Sequence, residues 1–441
     1  MSAASDAQLA QQMRETARQI FRSALRETSM ENAFRRHVNL DRRVLRVGED
    51  LYDLSDNRPI LVVSIGKAAY SMLDCLCEQL GPRATGIAVG PTEPARHQKG
   101  FQYFRGGHPL PNADSVRAAT AILETMRKLP PDGLVIYLLS GGGSALAEKP
   151  ISHRISLDDL VAIYKTLVHS GANIVEINVL RKHLSALKGG RLARAAAPAQ
   201  QVSILISDVP DNALDALASG PTMPDSSTIN DCYSIAVNHG LLPHFPSSVQ
   251  ELFQKKNLEE TPKPGDPAFA NSRWWNILSN AQIRDLAAAA AARAGFAVTI
   301  DVACDDWDYA AAADYLLNKL HELRKGVSRI CLVSGGEVTV RVENGGTGGR
   351  NQQFALHCAQ KITGESVLVL STGTDGIDGN SPAAGAVVDG TTAERARAKQ
   401  FDTTSALARF DAYPLFQSLG DAIVTGPTGN NIRDLRLLMA Y

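Results

Sequence analysis

Residues 134–144 read LVIYLLSGGGS, an unbroken apolar run that ends abruptly in a glycine-rich, polar tip. A short continuous apolar run is typical of a strand buried on both faces of a parallel sheet. Three other stretches have the same design: VSILISD at 202–208, ICLVSGGE at 330–337 and VLVLSTGTDG at 367–376. Ligands bind beyond the carboxyl ends of such strands, where glycine lets backbone N–H groups approach an anion. The pattern therefore predicts an α/β enzyme that handles a phosphorylated ligand.

The composition limits the class of protein. A chain of 441 residues is too long for one ordinary hydrophobic core, so two or three domains are expected. The net charge of −1 gives no field that would draw the chain to nucleic acid or to a membrane, and we expect neither partner. Six dispersed cysteines lack the paired spacing of a zinc site, which suits a reducing compartment. We predict a cytoplasmic protein with small-molecule partners; a homodimer is compatible with the sequence, which does not decide the oligomeric state.

The domain organisation follows from the order of the predicted elements. Strands alternate with helices in the first half of the chain, which predicts βαβ units and a parallel sheet over residues 1–242. Prolines cluster at 243–273 and indicate a linker or excursion, so a second α/β domain is predicted over 274–441. VTVRV at 338–342 alternates, which predicts a half-exposed strand in a mixed second sheet. The sequence leaves open whether the last predicted strand, 421–425, packs back on the first domain.

Five consecutive residues at the end of the first run are candidates for nucleotide binding: Ser140, Gly141, Gly142, Gly143 and Ser144. Their backbone N–H groups can cradle phosphates, although a tight structural turn is the competing interpretation. The tip is not a P-loop, and Leu146 replaces the third glycine of a G-x-G-x-x-G dinucleotide fingerprint. Lys67 directly follows another buried run, 60–65, and lies against the positive end of a helix dipole. A lysine is unfavourable at that position unless an anion is bound beside it. The alternative interpretation is an ordinary surface lysine.

Four residues share one face of a helix predicted within residues 176–191: Asn178, Arg181, Lys182 and Ser185. This face is basic and polar, unlike a core stripe. Arginine can hold a carboxylate through two hydrogen bonds and lysine can balance a phosphate, so the first three residues are predicted to bind the substrate. An exposed helix face is the alternative. His108 is a further candidate, although a histidine in a turn is more often structural.

Carboxylates at strand ends can hold Mg²⁺ through one or two oxygens together with nucleotide phosphates. Asp208 follows the run at 202–206, and Asp375 lies in GTDGIDG at 373–379, so both are candidate metal ligands. The latter loop lacks the closing glutamate of an EF-hand, which argues against calcium. Asp208 could instead orient or deprotonate an acceptor hydroxyl, and the sequence does not separate these roles.

The string GGTGGRNQ at 345–352 is the most specific in the chain. Four glycines before an arginine make a costly helix start unless flexibility or anion contact is needed. Arg350 is therefore a candidate for stabilising charge on a transferred phosphoryl group, a mobile solvent loop being the alternative. Gly335 and Glu337, in the tip of the run at 330–337, are further candidates for nucleotide binding.

In this order and over nearly the whole chain, these strings resemble the class II glycerate kinases, also called glycerate 2-kinases. The strings that carry the resemblance are SIGKA at 64–68, LSGGGSA at 139–145, LRKHLS at 180–185, ISDV at 206–209, ASGPT at 218–222, SGGE at 334–337, GGRNQ at 348–352, GTDGIDG at 373–379 and TGPTG at 425–429. Asn430 departs from the pattern, where threonine is expected.

The resemblance implies a Rossmann-like N-terminal domain, a C-terminal domain of the MOFRL type and an active site between them. It implies transfer of the γ-phosphoryl group of ATP, with Mg²⁺, to D-glycerate, giving 2-phosphoglycerate. Lys67 and Arg350 are implied as the catalytic pair, with Asp208 close by. The rival function is an NAD(P)H-dependent hydroxypyruvate or tartronate-semialdehyde reductase, against which the missing G-x-G-x-x-G strand turn argues.

Overall fold

The apolar run at 134–139 forms a strand that is buried at every residue, as predicted, in a computed structural model of the chain. The structure describes residues 3–54, 58–207, 214–342 and 345–441. The strands in these ranges are β1 (Val38–Asp41), β2 (Val44–Val47), β3 (Asp50–Asp53), β4 (Ile60–Ile65), β5 (Ala84–Gly90), β6 (Phe101–Arg105), β7 (Leu134–Leu139), β8 (Gln200–Ile206), β9 (Ser272–Leu278), β10 (Ala297–Asp301), β11 (Ile330–Gly336), β12 (Val367–Gly373), β13 (Gly385–Asp389), β14 (Ala422–Ile423) and β15 (Asp434–Ala440).

Several helices begin at a side chain that caps their first turn. Asn112, for example, accepts a hydrogen bond from the Ser115 N–H, which satisfies one of the backbone donors that a helix start leaves open. The helices are α1 (Ala3–Glu27), α2 (Met30–His37), α3 (Ala69–Leu80), α4 (Ala113–Met126), α5 (Gly143–Leu146), α6 (Leu157–Val168), α7 (Ile174–Leu184), α8 (Arg191–Ala196), α9 (Ile229–Asn238), α10 (Ser247–Gln254), α11 (Asn280–Arg293), α12 (Tyr309–Leu323), α13 (Arg350–Lys361), α14 (Thr392–Ala398), α15 (Thr403–Ala408) and α16 (Ala412–Leu419).

The chain divides into two compact units. We call Ala33–Ile277 the central unit. The other is formed by both ends of the chain, Met1–Asn32 with Leu278–Tyr441, and we call it the terminal unit. α1 belongs to the terminal unit, where it contacts α11 and β13.

The main sheet of the central unit has the strand order β6-β5-β4-β7-β8-β9, and its pairs from β6 to β8 are all parallel. Every residue of β4 and β7 is buried, as expected for central strands covered on both faces. The register places Ile65 opposite both Leu139 and Val89, so β4, β5 and β7 end level with one another. The tips that follow β4 and β7 are therefore neighbours.

The segment predicted as a linker, 243–273, lies within the central unit. There α10 places Val249 and Phe253 in a hydrophobic cluster with Leu167 and Leu180. The prolines of this segment mark turns between packed elements, because apolar side chains on both sides of them are buried.

The sheet of the terminal unit is mixed, with the order β10-β11-β15-β12-β13-β14. β10 and β11 are parallel, whereas β15 is antiparallel to both of its neighbours. The prediction of an α/β fold with a parallel first sheet and a mixed second sheet is therefore confirmed. The mixed character comes from β13, β14 and β15, since the alternating run 338–342 forms only an isolated bridge between Thr339 and Asp308.

Candidate active site

The tips after β4 and β7 are joined through their backbones. The Lys67 N–H donates a hydrogen bond to the Gly141 carbonyl at 2.9 Å, and the Ala68 N–H donates to Ser140 Oγ at 3.0 Å. Gly66 lies at φ +140°, and a Cβ atom there would stand 2.1 Å from Ser140 Oγ. Only glycine permits this close approach, so the sequence of the tip fixes the place of Lys67 beside the glycine-rich run.

Lys67, His108 and Gly142 form one cluster. A Cβ atom on Gly142 would lie 3.2 Å from Lys67 Cγ and 3.0 Å from His108 Cδ2, so both side chains cover the glycine. Burial lowers the pKa of His108, and the neighbouring Lys67 lowers it further. Lys67 is itself exposed, and within the described part of the chain no carboxylate pairs with its ammonium group. The cluster therefore places a basic side chain beside backbone that carries no side chain of its own.

A short chain of hydrogen bonds connects the glycine-rich tip to α7. Ser144 Oγ lies 2.9 Å from Ser219 Oγ, which donates to Asn178 Oδ1 at 3.1 Å. Asn178 is buried. The structure thus brings together Ser144 and Asn178, which were predicted separately to bind nucleotide and substrate.

The basic residues of α7 have different surroundings. The Arg181 guanidinium lies 4.6 Å above the ring of Tyr164, a cation–π contact. Lys182 Nζ lies 3.1 Å from Asp215 and 3.2 Å from Asp225, so two carboxylates already balance its charge. α7 ends at Leu184, and Ser185 has extended backbone, which takes it off the predicted helical face.

A buried ion pair that the sequence analysis missed lies behind the tip. Lys188 donates a hydrogen bond to Glu148, and both side chains are almost wholly buried. Ser185 Oγ donates to the same carboxylate at 2.6 Å, and the Tyr164 hydroxyl lies 2.8 Å from both Glu148 Oε2 and the Ser144 carbonyl. The network ties the backbone of the tip to the core.

In the terminal unit, Arg350 begins α13 and is held by two carboxylates. Its Nε donates to Asp434 Oδ2 at 2.8 Å, its Nη2 donates to Asp434 Oδ1 at 2.9 Å, and Nη2 also lies 2.8 Å from Glu337 Oε1. Predicted site residues from two different strings, Arg350 and Glu337, therefore meet in the structure.

Asp434 also contacts a second, wholly buried arginine. Arg436 Nη2 donates to Asp434 Oδ2 at 3.1 Å, and its Nη1 donates to the Gly335 carbonyl at 3.0 Å. The Gly336 N–H donates to Asn280 Oδ1 at 3.0 Å. A Cβ on Gly335 would lie 1.9 Å from that same oxygen, so the tip after β11 is tightly enclosed.

Two carboxylates of the GTDGIDG loop play different parts. Asp378 accepts hydrogen bonds from the N–H groups of Asn351 and Gln352 at the start of α13, while burial raises its pKa to about 6. Asp375 lies near Asp434, because a Cβ on Gly373 would stand 3.0 Å from Asp375 Oδ1 and 3.6 Å from Asp434 Oδ1. Burial and the neighbouring Asp434 raise the pKa of Asp375.

Arg350, Asp375 and Asp378 border a cavity of about 480 Å³ within the terminal unit. Its lining combines glycine-rich backbone, charged side chains and apolar side chains: Val340, Val342, Gly346, Gly348, Gly349, Arg350, Asp375, Ile377, Asp378, Gly379, Asn380 and Phe410.

Asp208, predicted as a metal ligand or a base, lies outside the described residues. Within those residues, no group of three or more His, Cys, Asp or Glu side chains is arranged to hold a metal ion. The same ranges contain no helix that is both long and apolar enough to cross a bilayer.

The sequence analysis missed Asp434, Arg436, Glu148 and Lys188. One signal was available for the first two, since the stretch RDLRLLMA at 433–440 places charges inside an apolar run. Charges buried within a strand need partners, and so mark a structural or functional cluster. No local pattern distinguishes Glu148 or Lys188 from surface residues.

Comparison with known proteins relates this chain to two domain families and to glycerate kinases. Residues 16–254 match a family model described as a domain of unknown function (DUF4147), and residues 330–434 match the MOFRL family. A D-glycerate 2-kinase of Thermotoga maritima is 36% identical over 400 residues, which cover 88% of this chain and 92% of that protein. A glycerate 2-kinase of Pyrococcus horikoshii is 34% identical over 384 residues, covering 85% of this chain and 86% of the relative.

A solved structure agrees with these relatives. The crystal structure of a glycerate kinase from Thermotoga maritima superposes with a TM-score of 0.86 at 31% identity, covering 98% of this chain and 100% of that one. The chain, which matches both the DUF4147 and the MOFRL models, therefore belongs to the glycerate kinase family.

Proposed function

We propose that this protein transfers the γ-phosphoryl group of ATP to the 2-hydroxyl group of D-glycerate, giving 2-phosphoglycerate and ADP. The observation that carries the proposal is the contact of the exposed Lys67 side chain with Gly142, which places a basic residue beside backbone that carries no side chain. Phosphoryl transfer needs positioned positive charge more than covalent chemistry, and this arrangement supplies it.

Arg350 supplies the second positive charge. Its guanidinium is fixed in orientation by two hydrogen bonds to Asp434, and a group held in advance stabilises developing charge without reorganising. Lys67 and Arg350 belong to different units, so the proposal requires that both reach the same phosphoryl group. An active site between the domains stays a prediction. Kinetic coupling between Lys67 and Arg350 tests it.

The proposed donor is ATP with Mg²⁺, which would supply the phosphoryl group and shield its charge. The residues fit such a pair, because Asp375 lies close to a second carboxylate, Asp434, and a cation would relieve their repulsion. Magnesium is commonly held by one or two protein carboxylates together with phosphates, so a larger cluster is not required. Asp375 would hold the ion; Asp208 is proposed either as a second ligand or as the base for the glycerate hydroxyl.

Phosphorus NMR tests the proposal directly. The purified protein is incubated with D-glycerate, ATP and Mg²⁺, with L-glycerate and a reaction without protein as controls. A 2-phosphoglycerate resonance is the expected result, whereas a 3-phosphoglycerate resonance would overturn the proposed regiochemistry. If no ester forms while NADH is oxidised in the presence of hydroxypyruvate, the reductase alternative replaces the kinase.

A further inference from the structure

The cavity of the terminal unit has an apolar wall that the transfer of a phosphoryl group to a small acid does not explain. Four of its lining side chains are apolar: Val340, Val342, Ile377 and Phe410. Val342 is 61% exposed and Ile377 is 48% exposed. Leaving large apolar side chains in water costs free energy, so a ligand that covered them would gain affinity.

The rest of the lining is polar, charged or glycine. Arg350 borders the cavity together with Gly346, Gly348 and Gly349, whose backbone carries no side chain. Asp434 and Glu337 engage Nε and Nη2 of Arg350, so in the described part of the chain Nη1 is the nitrogen that can donate to a phosphate oxygen. One cavity thus offers an apolar surface and an anion-binding group together.

The cavity is held open by contacts between its two loops. Asn380 Nδ2 donates to the Gly346 carbonyl at 2.9 Å, and the Gly348 N–H donates to Asn380 Oδ1 at 2.9 Å. Gly379 lies at φ +65°, and a Cβ atom there would stand 2.1 Å from the Gly348 carbonyl oxygen. The two loops therefore touch through backbone, and the cavity does not need a ligand to form it.

Its size decides which reactant fits. Cavities of about 300–1,000 Å³ hold ligands of drug size, and the volume here is about 480 Å³. A three-carbon hydroxy acid would leave most of this space empty and has no apolar surface to place against Ile377. A purine ring joined to phosphates matches both parts of the lining.

We infer that the terminal unit holds the nucleotide, with the purine ring against Val342, Ile377 and Phe410 and the phosphates directed at Arg350. This assignment rests on the proposed function, because it places the ATP of that reaction in the terminal unit. It adds a specificity-determining apolar wall to the residues of the site.

Calorimetric titration of the full chain tests the assignment with Ile377→Ser. ADP is the probe, and inorganic tripolyphosphate, which has no base, is the matched probe. Because Ile377 is half exposed, this variant is expected to fold as the unaltered protein does. We expect the Kd for ADP to rise roughly tenfold while the Kd for tripolyphosphate is unchanged. Ile174→Ser, which alters an apolar residue that is 60% exposed in the central unit, should leave both values unchanged.

Photolabelling with 8-azido-ATP provides the second measurement, with the labelled peptide identified by mass spectrometry. Label on residues 338–342, 376–380 or 410 supports the assignment. Label on the central unit, or an unchanged Kd for ADP in Ile377→Ser, would overturn it. The product assay on the unaltered protein separates the two proposals. If the ester forms but the label lies on the central unit, the kinase proposal stands and the nucleotide site in the terminal unit is rejected. If the protein neither binds ADP nor forms the ester, both proposals are rejected.

Discussion

Arg350 and Asp434 are joined by two hydrogen bonds, Nε to Oδ2 at 2.8 Å and Nη2 to Oδ1 at 2.9 Å, although 84 residues separate them in the sequence. Burial alone would lower the pKa of Arg350, but the Asp434 carboxylate outweighs it and raises the pKa. Because two bonds fix the plane of the guanidinium, Asp434 determines how Arg350 faces a ligand.

Replacing Asp434 by asparagine should therefore disturb the orientation of Arg350 without removing its charge. We expect kcat for glycerate phosphorylation to fall about 10- to 100-fold, with a smaller change in the KM for glycerate. Asp421→Asn is the matched control, since Asp421 is a buried carboxylate of the same unit that pairs with Arg395. Steady-state kinetics give the comparison, and a melting curve checks folding. An unchanged kcat in a folded Asp434→Asn protein would remove Asp434 from the site.

Lys67→Ala and Arg350→Ala should each lower kcat by on the order of 10²-fold or more, because each removes positive charge from the transferred group. If both act on that one group, the double variant should lose much less than the product of the single losses. Lys99→Ala, at an exposed lysine of the central unit, should be active. Strictly multiplicative losses would show that the two residues act independently.

We expect Glu148 and Lys188 to stabilise the central unit only when both are present. Glu148→Gln leaves the buried Lys188 ammonium without its counter-charge and should lower the free energy of unfolding by about 3–5 kcal/mol. Glu148→Gln combined with Lys188→Met should recover much of that loss, which denaturant unfolding measures. Arg154→Met, at an exposed ion pair with Glu251, should change stability by less than about 1 kcal/mol. Equal losses in the single and double variants would contradict this.

The proximity of Lys67 and His108 predicts a titration effect. Burial is the larger cause that lowers the pKa of His108, and the charge of Lys67 lowers it further. Lys67→Met should therefore raise this pKa but leave it below its ordinary value of about 6.5. The pKa of His108 is lower in the folded protein than in the unfolded chain. The stability that neutral His108 contributes is therefore fully present above the unfolded pKa and is lost as the pH falls through the folded pKa. Lys67→Met should reduce that loss. NMR titration of the His108 ring checks the direction, and Lys99→Met is the control.

The sequence could predict the strands and their tips because the signal is local. The runs at 134–139, 202–206, 330–333 and 367–370 all lie in strands. In the central unit, β4 and β7 end at paired residues, so the glycine-containing tips that follow them are neighbours. Each run needs only its own composition to be recognised, and parallel pairing then places the tips together.

What the sequence could not predict depends on partners distant in the chain. Lys182 resembles a free phosphate ligand in sequence, yet Asp215 and Asp225 balance its charge. β15 was missed because Asp434 and Arg436 interrupt its apolar pattern and Arg433 directly precedes it. Those charges are acceptable in a central strand only because Asp305, Arg350 and backbone carbonyls pair with them.

The position of β15 also has a consequence for biosynthesis. This strand is the last element of the chain, yet it lies between β11 and β12 in the middle of its sheet. α1, which is synthesised before every element of the central unit, belongs to the same unit as β15. The central unit can therefore assemble before β15 has been synthesised, whereas the sheet of the terminal unit is complete only when β15 is present. Arg350 has its orienting carboxylate only once Asp434 has been synthesised, so we expect a chain that stops before Asp434 to be inactive.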